Sequence, residues 1–132
     1  MGCDIDLYLE YKSPITGVWT PFSYGSYAIP RNYEMFAKMA GVRSEGREAI
    51  FQAKGFPEDA SDFVKSEYEK GKPGSDCCHD SSWLCWQEFV ICVYSYTAGP
   101  ETDILEYKAL CEAMDVLEAY GSETRIVFWF IL

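Results

Sequence analysis

Thr124-Arg125-Ile126-Val127-Phe128-Trp129-Phe130-Ile131-Leu132 is a nearly unbroken apolar run. A strand with one wet face alternates apolar and polar residues, and this stretch does not. It therefore predicts a central strand covered on both faces. Consecutive strand side chains point to opposite sides, so Phe128 and Trp129 should feed two different packing layers.

Working outward, Cys3, Ile5, Leu7, Leu9 and Tyr11 alternate with Asp4, Asp6, Tyr8, Glu10 and Lys12. This is the period of two expected of a strand with one buried face. Ser13-Pro14-Ile15-Thr16-Gly17 reads as a turn, and Val18 to Phe22 as a returning strand closed by Pro21. Residues 23 to 30 read as a loop. Asn32 caps a helix carrying Tyr33, Phe36 and Met39, and Gly41 stops it. Residues 42 to 56 read as a loop with a short strand at Ala49 to Gln52. Pro57 or Ser61 opens a helix to about Glu69, with Val64 and Tyr68 on one face.

Ser82 is expected to cap a helical segment through Trp83, Trp86 and Val90, although Val90 to Tyr96 is β-branched and aromatic enough to be strand. Pro100 starts the longest helix, to Tyr120. Its apolar face is Tyr107, Leu110, Met114 and Leu117; Glu101, Lys108, Glu112 and Asp115 lie opposite. The expected fold is α+β, one domain over residues 1–132. A small antiparallel sheet includes the N-terminal hairpin and the C-terminal strand, with helices packed on one side.

The 132 residues are 48% hydrophobic and 17% aromatic, a globular composition. The net charge is −10, which opposes broad binding to nucleic acid or anionic membranes. The acidity is polarised: residues 73 to 132 carry ten acids against Lys108 and Arg125 alone. No apolar run approaches the ~20 residues of a membrane span, and the first residues lack a signal-peptide pattern. Asp6 stands where a myristoylation signal requires Ser or Thr. These features predict a soluble, cytoplasmic chain whose six cysteines stay reduced, with no cofactor.

Four constellations could carry chemistry. Asp4, Asp6 and Glu10 share a strand face, with alternate Cα atoms about 6.6 Å apart, a spacing that suits a hard cation. A solvated sheet face, or pairing with Arg31, Arg43 or Arg125, is the competing role. Cys77, Cys78, His79, Asp80 and Cys85 include zinc-ligand types but lack a Cys-x-x-Cys spacing. Metal-dependent hydrolysis would use Asp4, Asp6 and His79, the only histidine. Residues 31 to 54 hold Arg31, Lys38, Arg43, Arg47 and Lys54 against three acids; Arg31, Arg43 and Arg47 with Tyr33 would form a nucleotide pocket. Phosphate-binding glycine loops and nucleophile elbows are absent, which argues against an NTPase or a serine hydrolase.

Met1-Gly2-Cys3-Asp4-Ile5, Leu7, Leu9, Glu10, Gly17 and Trp19 resemble the opening of a family of small bacteriophage and prophage proteins. The resemblance continues through Arg31-Asn32-Tyr33 with Phe36, Ala40-Gly41-Val42-Arg43, Pro57-Glu58-Asp59, His79 with Ser82-Trp83-Leu84, and Arg125-Ile126-Val127-Phe128-Trp129-Phe130. The family usually has His where this chain has Asp6, which weakens a metal or acid-base role there. The resemblance implies a phage accessory protein in a bacterial cytoplasm and no established reaction. With the acidity, it gives the leading expectation of a non-enzymatic inhibitor. Glu101, Glu112 and Asp115 would engage a host defence protein with a basic surface, such as a CRISPR effector. A nucleotide-signal sponge is the alternative.

Overall fold

The computed structural model describes residues 2–71 and 78–132. Its centre is the apolar run, now β4 (Glu123–Ile131). On one side β4 pairs antiparallel with β1 (Asp4–Lys12), and on the other with β3 (Cys78–Cys85). The sheet order is β2-β1-β4-β3, where β2 is the short strand Trp19–Pro21. Pro21 has no N–H to continue the ladder. The next residues still line β1, since the Phe22 and Tyr27 amides donate to the Leu9 and Leu7 carbonyls.

The alternation of β4 divides the interior into two layers. Phe128 and Phe130 join Ile5, Leu7, Leu9 and Leu84 beneath α1 (Tyr33–Ala40), α3 (Trp86–Tyr94) and α4 (Leu105–Ala119). Val127 and Trp129 face the other way, onto Tyr8, Ala60 and Val64, with Phe56, Phe63 and Tyr68 packed around them. Val64 and Tyr68 belong to α2 (Asp62–Gly71). The α+β class and the antiparallel sheet holding both terminal strands are as expected. Three helices cover one face, and α2 adds a second layer on the opposite face.

Helix ends follow local chemistry. The Asn32 side chain accepts the Met35 amide, and Gly41 closes α1 at φ 71°, a conformation glycine adopts without strain. Ser61 caps α2 by accepting from the Val64 amide. Pro100 precedes a 3-10 turn, Glu101–Ile104, that leads into α4.

Two expectations are corrected. Ser82 does not cap a helix: it is buried in β3, paired with Phe128, and its hydroxyl accepts the Lys54 amide at 2.9 Å. Ser82 and Leu84 point into one layer and Trp83 into the other, so this stretch is strand. The helix starts at Trp86, where the Glu88 carboxylate accepts the Cys85 amide, and it continues through Val90 to Tyr94. Ala49 to Gln52 is irregular loop, with the Phe51 amide tied to the Lys38 carbonyl rather than to a strand.

Candidate functional site

The acidic helix face is carried by α4 and its leading turn. Tyr107, Leu110 and Met114 turn inward, which sends Leu105, Glu112 and Val116 to solvent at the opposite azimuth. Leu105 and Val116 are 54% and 58% exposed. On the adjacent α3, Ile91 and Tyr94 are also exposed, Tyr94 at 62%. The face therefore mixes exposed apolar side chains with carboxylates, rather than being uniformly charged. Glu101 is exposed and pairs with Lys108 at 3.2 Å. Asp115 is half-buried and accepts the Trp86 indole N–H, so it is committed to the α3–α4 contact. Glu112 is exposed.

The arginine segment does converge on Tyr33. The Arg43 and Arg47 guanidinium carbons lie 5.0 and 5.7 Å from its ring centroid. Arg47 also meets Glu34 at 3.5 Å and donates to the Arg43 carbonyl, and the Tyr33 hydroxyl accepts the Cys3 amide. Arg31 instead pairs with Asp4 at 2.5 Å. Its hydrogen bond holds the exposed Asp4 carboxyl below its ordinary range. The protein's own cations thus already lie over Tyr33.

The metal constellation does not assemble. Asp4 and Asp6 pair with Ile131 and Trp129, whereas His79 pairs with Phe130 on the opposite side of the sheet. Desolvation raises the Asp6 pKa, against a hydrogen bond from Trp129 that lowers it. His79 Nδ1 lies 2.6 Å from Asp80 Oδ2. Cys77 lies outside the described residues, and the Cys78 thiol donates to the Gly71 carbonyl. Among the described residues, no group of three or more His, Cys, Asp or Glu side chains is placed to hold a metal.

Glu10 has a different role from the one a cation site requires. Its buried carboxylate receives Arg125 Nε at 2.9 Å and the Ser61 amide at 2.8 Å. Arg125 Nη1 reaches Asp59 at 2.9 Å. Burial pushes the Asp59 carboxyl up, but the Arg125 hydrogen bond and charge outweigh it and hold it low. The guanidinium carbon sits 3.9 Å from the Trp19 ring centroid and 6.0 Å from that of Trp83. Arg125 Nη2 is 2.9 Å from Glu10 Oε1 without an aligned hydrogen bond.

Above this ion pair lies a cleft of 510 Å³ lined by Lys12, Trp19, Glu58, Asp59, Trp83 and Glu123, among others. The helical spacing of Trp83 hides it in the sequence, because that reading turns the indole away from Arg125. Once residues 78–85 are strand, the alternation sends Trp83 to the same face as Arg125. On the sheet's other face, a smaller apolar cleft of 250 Å³ lies between α4 and residues 22 to 29. Among the described residues no helix is long and apolar enough to cross a membrane. No family model matches the chain, and no curated protein or solved structure matches it either.

Proposed function

We propose that the protein is an acidic interaction module that inhibits a basic, nucleic-acid-binding partner by covering its binding surface. The observation that carries this reading is the outer face of α3 and α4, where Leu105, Val116, Ile91 and Tyr94 stand exposed beside Glu101 and Glu112. Protein interfaces combine an apolar centre with a polar rim. Carboxylates beside exposed apolar side chains suit a target that presents Lys and Arg around its own apolar contact. The phage resemblance supports a host defence factor, such as a CRISPR effector, as the target, and a bacterial cytoplasm as the setting.

The test is affinity capture from host bacteria with the parent and with Glu101→Lys/Glu112→Lys/Val116→Asp. The proposal expects a nucleic-acid-binding protein that the parent retains at low salt and the variant does not. Equal capture by both proteins, or capture only of proteins that bind no nucleic acid, overturns it.

A second reading rests on the convergence of Arg43 and Arg47 on Tyr33. It makes the chain a sponge for a nucleotide signal, held by guanidinium-phosphate pairing. A ligand that binds the folded state raises the melting temperature by mass action. The absence of a shift across a panel of linear and cyclic nucleotides ends this reading.

A further inference from the structure

We propose that the cleft between α4 and residues 22 to 29 takes one large apolar side chain, Phe, Leu or Trp, from a basic amphipathic helix of the partner. The inference rests on the reading above, because α4 belongs to the proposed interaction face, and it adds the anchor of that interaction. The cleft measures 250 Å³. That is below the ~300–1,000 Å³ of drug-sized ligand sites and suits a single side chain. Toward it α4 presents only small side chains, Ala109 and Ala113, above the buried Leu110, while the segment opposite presents Phe22, Tyr27 and Ile29. The space between is open, and Phe22 is 47% exposed.

Both walls are fixed without a partner. The Phe22 and Tyr27 amides donate to the Leu9 and Leu7 carbonyls of β1, which holds that wall against the sheet. The Tyr107 hydroxyl donates to the Pro30 carbonyl at 3.0 Å, which ties the end of the same segment to α4. Tyr27 and Ile29 pack against the main core. No loop has to be ordered before a side chain enters, so the entropic cost of docking falls on the incoming segment.

Position and charge select the incoming segment. Leu105, Ala109, Ala113 and Val116 succeed one another at spacings of four, four and three, so the exposed Leu105 and Val116 adjoin the cleft along α4. Glu106 lines the cleft, and Glu112 stands three positions from Ala109. Both are exposed, and neither makes an ion pair among the described residues. The cavity supplies the anchorage, and these two carboxylates set the charge of what flanks the anchor. An apolar residue with Lys or Arg three or four positions to either side meets both demands, since residues so spaced share one helix face. A second copy of this chain is the wrong occupant, because its α4 would bring the same carboxylates, and a net charge of −10, against these.

The experiment titrates the isotope-labelled full chain with helical peptides of about 16 residues and follows the amide resonances of Ala28, Ala109 and Ala113. Each peptide carries a central Phe or Ala, with Lys or Glu three and four positions to either side. Toluene is the small apolar probe. The Phe peptide with Lys should saturate, and its binding should weaken as salt rises. Replacing its Phe by Ala should weaken binding about tenfold or more. Ala109→Leu/Ala113→Leu fills the cleft and should weaken binding as much, with unchanged circular dichroism and a melting temperature no lower than the parent's. Glu58→Lys, on the opposite sheet face, should bind like the parent. The proposal is overturned if no peptide saturates at millimolar concentration, if Phe and Ala peptides or Lys and Glu peptides bind alike, or if the filled variant binds as the parent does. It is also overturned if toluene binds as tightly as the peptide, or if the protein self-associates and filling the cleft abolishes that. Affinity capture separates this inference from the reading it rests on. Retention of a nucleic-acid-binding partner by the filled variant overturns the anchor alone, whereas loss of a partner that binds no nucleic acid overturns the proposed function and not the anchor.

Discussion

Glu10 and Arg125 are separated by 115 residues in the chain and meet as directly paired neighbours on β1 and β4, with Nε 2.9 Å from the carboxylate. Both side chains are almost fully buried, so Glu10 depends on Arg125 and the Ser61 amide for its solvation, and Arg125 on Glu10 and Asp59.

Removing one partner of this pair should therefore be costly. Glu10→Leu and Arg125→Met are each expected to destabilise the fold by roughly 3–5 kcal/mol, because each leaves an uncompensated buried charge or polar group. The double substitution Glu10→Leu/Arg125→Met should recover much of that loss. Urea unfolding followed by circular dichroism checks both; additive losses in the double variant would mean that the two residues act separately.

Trp129 and Phe128 test the two-layer core. Truncating either to Ala should cost on the order of 3–5 kcal/mol. The costs should add in the double variant within about 0.5 kcal/mol, because the side chains lie on opposite sides of the sheet. Losses below about 1 kcal/mol at both positions would place β4 at the surface.

The carboxylates have opposing pH signatures. For Asp59 and Glu88, burial raises the pKa, but Arg125 and Lys54 respectively outweigh it and both groups are held low. Their contribution is present above the unfolded carboxylate range near pH ~4 and is lost as pH falls through the folded values. Desolvation raises Asp6, so its cost develops as pH rises above its unfolded value and is complete above the folded one. Asp6→Asn should raise the urea midpoint at pH 7, and the gain should vanish below about pH 4. A lower midpoint at pH 7 would show that the Trp129 hydrogen bond to the carboxylate dominates.

Burial pushes the Cys92 and Cys111 thiols up to about 12, and it also raises Cys3. The thiolate is the reactive form, so all three should resist iodoacetamide at pH 8 in the native protein and react once it is unfolded in urea. Mass spectrometry after timed quenching reads the pattern. Rapid native labelling of Cys92 or Cys111 would mean that the α3–α4 layer opens easily.

The two central strands were legible because their patterns are strong. Cys3 to Lys12 alternates cleanly, and Ile126 to Ile131 does not alternate at all; those two facts place β1 and β4. The helical reading holds for Trp86 and Val90, which lie on α3, but the three-residue spacing of Trp83 to Trp86 is helical only by chance, and the contact that decides Ser82, with Lys54, spans 28 residues. The inward stripe of α4, Tyr107, Leu110 and Met114, and the exposure of Glu112 were legible from periodicity, whereas the exposed Leu105 and Val116 were not among the residues it singled out. The commitment of Asp115 to Trp86 was not legible, since it depends on α3 packing beside α4. The Trp19–Arg125–Trp83 arrangement needed three strands in register, a relationship that no local window contains.

The most direct measurement of the proposed function is a competition on the captured partner. Its labelled nucleic-acid substrate is followed by fluorescence anisotropy as this protein is added. The account predicts stoichiometric release of the nucleic acid at low salt, weaker release at higher ionic strength, and little release by Glu101→Lys/Glu112→Lys/Val116→Asp. Nucleic acid that stays bound at saturating protein, or equal release by that variant, would contradict it.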